Sequence, residues 1–500
     1  MKTTDSTVLI AGAGPVGLAM AADLARYGVS VRLIEKSPEP TDKSKALVLW
    51  SRTLELMDRM GCTAPFLTTG KKVTAVNITA GKELITRVTV DGVETPHPYA
   101  LTIPQNDTEQ LLGDFVTSLG VKIERNMELT DFTATADGVT STLKRADGTE
   151  ETFESGWLIG SDGAHSTVRH KLGMEFAGET MPSSWVIADV HLSNVPNPEE
   201  IVISWHTDGI LAVFPILGTR YRVIADSGLI DAGIAPANPT IEDVQSILDV
   251  RGPGGITATD PIWLTRFTIN ERKVSNYRSG RVFVMGDAAH IHSPAGGQGM
   301  NTGIQDAFNL AWKLALVIRG FGDEETLLGS YSAERSPIAD DVLKGAGRIT
   351  EVALMRGDFK QAIRNQFTSF IFGLSPVRKK LADVLTEVSI GYPNSPLNGN
   401  GGYMGHGPKE GERAPIDTGP SCVGAGDTPR FALYADEVNG AGAELIAKYP
   451  HLLEFKLREP FDRSGLWLVR PDGYVALATR HDQWDEVAKY LDVLAKGAGR

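Results

Sequence analysis

The first 35 residues do most to limit what this chain can become. Thr7 to Ala11 is an apolar run of strand type, and Gly12-Ala13-Gly14-Pro15-Val16-Gly17 follows it without a break. Leu18, Leu24 and the small residues between them read as a helix ending near Gly28. Val29 to Ile34 is a second apolar run, closed by Glu35. Strand, GxGxxG, helix and strand make a βαβ unit, which commits both strands to a parallel sheet. Gly14 lets the backbone approach a pyrophosphate at the helix N-terminus, where free amides and the helix dipole favour negative charge. Glu35 follows Gly17 by roughly 20 residues, the spacing at which a carboxylate meets a ribose hydroxyl. The unit is an adenine-dinucleotide site, with FAD and NAD both open.

The stretch Arg281 to Lys313 uses the same local logic. Val282 to Met285 is a short apolar run, and Gly286-Asp287 ends it with a carboxylate at the strand's carboxyl end. Pro294, Gly296, Gly297 and Gly299 give a segment whose amides can face a ligand without side chains in the way. From Met300-Asn301 onward apolar residues return at helical spacing. An Asp for a hydroxyl, a glycine cradle and a helix N-terminus suit a flavin with its ribityl chain. A third strand–turn–helix corner runs from Trp157 through Ser161-Asp162-Gly163 to Arg169.

These stretches resemble the class A flavoprotein aromatic hydroxylases. The family's GD pair is Gly286-Asp287, and the match continues through Ala288-Ala289-His290 and Pro294 to Gly299-Met300-Asn301. Asp162-Gly163 resembles the family's DG motif, and Ser44-Lys45-Ala46, Arg52 and Gln105 fall in similar contexts. The resemblance implies FAD contacts from Gly12, Ala13, Gly14, Pro15, Val16, Gly17 and Glu35 in the first unit. Lys45, Arg52, Gln105, Leu129 (by its backbone, against adenine) and Asp162 would add to them. Asp287, Pro294, Gly296, Gly297, Gly299, Met300 and Asn301 would hold the flavin end. The family usually has Arg where Lys45 stands; Lys keeps the charge without the two-pronged geometry. One relative's orienting carboxylate aligns with Leu47, so that route to phenol activation is not expected here. His290 is expected to be a structural loop histidine, and no catalytic base is assigned.

The fold implied is α/β, with an FAD-binding Rossmann-like domain over residues 1–70, 101–178 and 271–345. An inserted β-sheet substrate domain covers 71–100 and 179–270. A helical segment, 346–390, leads through a Gly/Pro-rich linker, 391–412, to a C-terminal thioredoxin-like domain, 413–500. Gly411 to Pro415 and Leu468 to Tyr474 resemble the ends of that domain in the phenol-hydroxylase branch. It has no CxxC, so it is expected to be structural or to serve subunit contact, as in a homodimer, without dithiol chemistry.

The activity implied is FAD-dependent, NAD(P)H-using hydroxylation of a phenolic or polycyclic aromatic substrate. NAD(P)H binds transiently, and O2 reacts through a flavin C4a-hydroperoxide. Trp205, Phe214, Pro215 and Arg222, on expected strands of the substrate sheet, are candidate substrate contacts; strand aromatics are more often ordinary core. Two other readings stay open. One is the same fold with halogenase or reductase chemistry, the other a flavin-binding interaction or redox-sensing protein without turnover.

Composition narrows the surroundings. A net charge of −13 with no basic run excludes the electrostatic footprint of a nucleic-acid binder. Cys62 and Cys422 are the only cysteines, which excludes a disulfide framework or a cysteine metal site and suits a reducing cytoplasm. The apolar N-terminal stretch is broken by glycines and reads as a strand, not a signal peptide. No run reaches the ~18 apolar residues of a membrane span.

Overall fold

The computed structural model describes residues 7–42, 44–229, 237–294, 296–353, 375–416, 421–437 and 440–495. Strand Thr7–Ala11, helix Pro15–Arg26 and strand Ser30–Glu35 form the first unit, with the two strands parallel. They belong to a six-stranded sheet in the order Arg278–Ser279, Val282–Val284, Trp157–Gly160, Thr7–Ala11, Ser30–Glu35, Ile123–Arg125. The three strands that precede the glycine and acid turns are therefore neighbours, running parallel. Parallel strands present their carboxyl ends on one edge, so three turns far apart in sequence converge there. Helices Pro15–Arg26 and Gly299–Ile318 pack against each other beside this sheet.

The second layer is an eight-stranded sheet. Its order is His290–Ile291, Thr257–Lys273, Ala177–Ser193, Arg220–Leu229, Gly209–Pro215, Ile201–His206, Ala75–Ala80, Glu83–Thr89. Alternation along these strands sends Val186, Val190, Leu211 and Val223 toward helix Ile241–Arg251. The opposite set, including Phe214 and Ile224, faces the flavin-motif turns.

Several sequence expectations need adjustment. The stretch 71–100, expected in the substrate sheet, divides: Lys71–Val73 and Val48–Leu49 both pair with Ala100–Thr102 in a separate small sheet, while Ala75–Ala80 and Glu83–Thr89 join the large one. Period-2 patterning reveals a buried face but not the partner that covers an edge. The chain leading to Leu129 forms two strands. Ile123–Arg125 joins the dinucleotide sheet, Asn126 turns the chain with φ 57°, and Met127–Ala134 enters a different antiparallel sheet. Leu129 sits there opposite Leu143.

Of the helical segment 346–390, helix Glu324–Ala353 covers the start and Ser375–Leu385 lies further on; 354–374 lies outside the described residues. The stretch 391–412 has no helix or strand, yet it is fastened down: Gly399 and Gly411 donate to the carbonyls of Ala476 and Val475 at 2.7 and 2.8 Å. Beyond it, antiparallel strands Ala432–Tyr434, Gly465–Val469 and Val475–Arg480 carry helices Ala441–Lys448 and Trp484–Ala495. Among the described residues, no helix is long and apolar enough to cross a membrane, and no group of three His, Cys, Asp or Glu is placed to hold a metal.

Candidate active site

A cavity of about 500 Å³ lies where the converging turns meet the eight-stranded sheet. The glycines of the first turn divide the work. Gly12 has φ 103°, and a Cβ there would lie 2.3 Å from the Ser161 carbonyl oxygen; one at Gly17 would lie 1.9 Å from that of Gly12. Those two let the backbones pack. A Cβ at Gly14 would meet nothing within 4 Å, and Gly14 lines the cavity with Pro15 and Val16. Gly14 also caps helix Pro15–Arg26 without a side-chain bond, which leaves first-turn amides free. Glu35 is held beside this turn, accepting from the amides of Ala13 at 2.8 Å and Ser37 at 2.9 Å.

Lys45 to Val48 form a second wall. Gln105 braces it: its side-chain oxygen accepts from the Ala46 amide at 3.1 Å and its NH2 donates to Glu109 at 2.9 Å. Arg222 braces it from the sheet. Its Nη1 donates to the carbonyls of Lys45 and Ala46 at 3.1 Å each, while Nε and Nη2 engage Asp189 at 2.6 and 3.0 Å. Arg222 is fully buried and spends four hydrogen bonds on Asp189 and the Lys45 and Ala46 carbonyls, so it braces the wall and does not itself line the cavity.

The third wall is the flavin-motif turn. Asp287 opens onto the cavity while protein surrounds it; burial pushes its carboxyl up, opposed by His290 and Lys45. Behind it, buried Asp306 receives the Gly286 amide at 3.1 Å, His290 Nε2 at 2.8 Å and Arg335 Nε at 2.7 Å. Burial works to raise the Asp306 carboxyl, but Arg335 and His290 outweigh it and hold it below its ordinary value. His290 is thus a buttress. His292, on the cavity wall, donates from Nδ1 to the Ser293 carbonyl at 2.8 Å, and burial pushes its pKa down to about 4, so the ring is neutral. Asn301 is fully buried: it accepts from the Trp50 amide at 2.9 Å and donates to the carbonyls of Val48 and Gly297 at 2.8 and 2.9 Å. Trp50 Nε1 adds a bond to the Gly296 carbonyl at 2.9 Å. Asn301 and Gly296 therefore staple two walls together and do not face the cavity.

Of the residues singled out in the sequence, Gly14, Pro15, Val16, Lys45, Gln105, Phe214, Asp287, Pro294, Gly297, Gly299 and Met300 line the cavity. Gly12, Ala13, Gly17 and Glu35 frame it. Asp162 lies between two lining residues, Ser161 and Gly163, and accepts from the Val168 amide at 3.2 Å. Four others lie elsewhere. Arg52 is fully buried, donating to Glu55 at 2.8 Å and to the Asp472 carbonyl at 2.7 Å, and so reaches the C-terminal module. Leu129 is core, Trp205 packs with Ile78, Trp185 and Ile210, and the Pro215 carbonyl accepts from Thr102 Oγ1 at 2.6 Å. Lining residues not foreseen include Thr41, Glu109, Ser161, Ile224, Met285 and His292. Glu109 was findable, one helical turn after Gln105, as was Ile224, two residues beyond Arg222 on the same strand face.

Comparison with known proteins is consistent along the chain. The model of the FAD binding domain family matches residues 5–346. The 6-methylpretetramide 4-monooxygenase of Streptomyces rimosus is 34% identical, over 94% of this chain and 90% of that protein. The rifampicin monooxygenase of Streptomyces venezuelae is 35% identical, covering 77% of this chain and 79% of that protein. Among solved structures, the anhydrotetracycline hydroxylase of Streptomyces rimosus superposes with TM-score 0.79 at 30% identity, covering 98% of this chain and 99% of that one.

Proposed function

The chain belongs to the FAD binding domain family, and from that premise we propose that the cavity is where it brings FAD and an aromatic ring together. The protein is an FAD-dependent aromatic monooxygenase that uses NAD(P)H and O2. One observation carries the siting: a polar, glycine-walled half and an apolar half, with Phe214 and Ile224, belong to a single cavity. The residues fit a flavin dinucleotide. The bare Gly14 face and the free amides of the Pro15 turn suit pyrophosphate, and Lys45 supplies a cation to it. Asp287 accepts a ribityl hydroxyl. The amides of Gly299 and Met300, at the start of a helix, stabilise negative charge on the flavin's pyrimidine edge.

Bound FAD supplies the redox chemistry, accepting electrons from NAD(P)H and activating O2. The chain's own residues place and enclose. Phe214 and Ile224 hold the substrate ring, and Leu47, Val48, Met285 and Pro294 keep water from the reacting face. The C-terminal module, thioredoxin-like by resemblance, is structural in this reading, since Arg470 and Asp472 reach from it into buried bonds with the FAD-binding part.

The test is direct. Purified protein should be yellow, and a phenolic or polycyclic aromatic should accelerate NAD(P)H oxidation and gain a ring hydroxyl from labelled O2. Label entering only from water, or colourless protein that takes up no added FAD, would sink the assignment.

A further inference from the structure

Helix Ser375–Leu385 runs into a turn, Thr386-Glu387-Val388, that is fastened to the FAD-binding part at three points. The Thr386 carbonyl accepts from the Arg52 amide at 3.1 Å, and the Val384 carbonyl accepts from Gln298 Nε2 at 3.0 Å. Gln298 is the residue just before helix Gly299–Ile318. About two turns further along that helix, Gln305 Nε2 donates to Glu387 Oε2 at 2.5 Å. Glu387 is buried and has φ 62°, a left-handed conformation that suits glycine or asparagine better than glutamate. The turn itself does not call for this side chain.

The carboxyl of Glu387 is set apart from the rest. Every other buried carboxylate among the described residues forms an ion pair with an arginine. Glu387 forms none. Arg335 is the cation whose charge acts on it, yet that guanidinium is spent on Asp306, Tyr392 and the Thr302 carbonyl. Arg52 and Arg413 meet the turn at its backbone, and both pair with Glu55. Glu387 Oε1 is buried without a hydrogen-bond partner, and so is Gln305 Oε1. One hydrogen bond already joins these two side chains, and each is left with one idle acceptor. A proton on Glu387 Oε1 turns it into a donor and satisfies both atoms at once. It also removes a charge that no cation answers, which is how an isolated buried carboxylate escapes its desolvation cost. Burial pushes the Glu387 carboxyl up to about 8, against the opposing pull of Arg335 and Gln305.

We propose that Glu387 is kept as a neutral carboxylic acid joined to the Gln305 amide by two hydrogen bonds, and that this pair positions the start of helix Gly299–Ile318 for the flavin. The positioning role rests on the siting of FAD in the large cavity; the neutral pair stands without it. Between the ordinary 4.5 and about 8 the folded chain holds a proton that the unfolded chain releases. Stability from the pair therefore falls as pH rises through that window and levels off above it.

The experiment uses the full chain, with and without FAD, beside Glu387→Gln, whose amide makes both bonds at any pH. From about pH 6 to about pH 9 the melting temperature of the unsubstituted protein should fall by ~3–5 °C relative to the variant. Over the same range its FAD affinity should drop about tenfold, while that of Glu387→Gln holds level and that of Glu387→Ala is weak throughout. A crystal structure near neutral pH should place Glu387 Oε1 within hydrogen-bonding distance of Gln305 Oε1, an approach two acceptors make only with a proton between them. Parallel melting profiles, or a water or cation seated on Oε1, overturn the neutral pair. An FAD affinity that follows the same pH course in both proteins overturns the positioning role. Protein that binds no FAD at any pH refutes the cofactor siting instead, and melting and crystallography still decide the state of Glu387. If Glu387→Gln does not fold, the crystal structure of the unsubstituted protein decides alone.

Discussion

The helix Gly299–Ile318 has two ends finished in opposite ways. Around its first turn, polar groups keep spare capacity: the helix has no side-chain cap, and Asp287 and Lys45 turn exposed side chains to the cavity. Toward its other end, Asn309, Trp312 and Lys313 are buried and bonded. Lys313 Nζ reaches Asn309 at 2.8 Å and Glu334 at 2.7 Å, and Glu334 takes Arg470 at 2.6 and 3.0 Å. Trp312 Nε1 donates to Asp472 at 3.1 Å. Burial pushes the Asp287 carboxyl up with only partial opposition. At Glu334 burial pushes the same way, but Arg470 and Lys313 overcome it and hold that carboxyl well below the usual range. The residue types are alike, so type does not separate function from assembly. Spare bonding capacity inside a cavity does.

The comparison breaks most visibly at Glu334. Glu334→Ala leaves Lys313 without its carboxylate and Arg470 with only Asp472, and removing one member of a buried ion cluster costs ~3–5 kcal/mol. Since Arg470 belongs to the C-terminal module, denaturant unfolding should show both parts loosened and FAD content reduced. An unchanged midpoint would mean that the buried end is no more than a bystander.

His292 tests the cavity end by pH. Its folded pKa is about 4 against an ordinary 6.5, so between these values the unfolded chain holds a proton that the folded one refuses. Stability from the neutral ring is complete above 6.5 and is lost as pH falls toward 4, by at most ~3 kcal/mol. His292→Gln should flatten melting temperature over that window relative to the unsubstituted protein. Parallel profiles for the two would show that His292 does not titrate in this way.

What was legible in the sequence is local. The turns at Gly12 to Gly17, Ser161 to Gly163 and Gly286 to Asp287 each announce a strand end and a helix start. Parallel pairing of their strands then brings them together with no further information. What was hidden depends on partners distant in the chain. Arg52 lies in a stretch matching the family's cofactor region, yet its helix turns it toward Glu55, Tyr474 and the Asp472 carbonyl. Nothing near Lys313 or Glu334 in sequence foretells Arg470. The sheet to which Leu129 belongs was hidden as well, because the left-handed Asn126 diverts the chain from the dinucleotide sheet into an antiparallel one. His292 is the informative miss, because only the Ser293 carbonyl and the surrounding burial give the ring its character.

Two glycines of one turn sharpen the distinction between frame and site. Gly17→Ala puts a methyl 1.9 Å from a backbone oxygen, so it should lower stability by ~1–3 kcal/mol whether or not FAD is present. Gly14→Ala meets no protein atom within 4 Å and has an ordinary φ of −73°, so apoprotein stability should barely change. Its methyl projects where pyrophosphate would lie, and FAD affinity should fall about tenfold, equivalent to ~1.4 kcal/mol. Apoprotein melting and FAD titration separate the two effects. Equal behaviour of the two variants in both assays would erase the division of labour.

The smallest effect belongs to Asp287, and it asks whether spare capacity at the cavity end has value before a ligand arrives. Among the described residues the carboxylate makes no hydrogen bond that would be missed, and burial already disfavours its charge. Asp287→Ala should therefore leave apoprotein melting unchanged or slightly raised. With FAD the sign reverses, because a ribityl hydroxyl loses its acceptor, at a cost on the order of 1 kcal/mol. Asp287→Asn keeps an acceptor oxygen without the charge and should fall between the two in FAD retention. Paired melting curves with and without FAD, alongside flavin content by absorbance, measure both signs. A loss of apoprotein stability as large as the loss of FAD affinity would place Asp287 with the saturated groups of the far end, and the contrast between the two ends would fail.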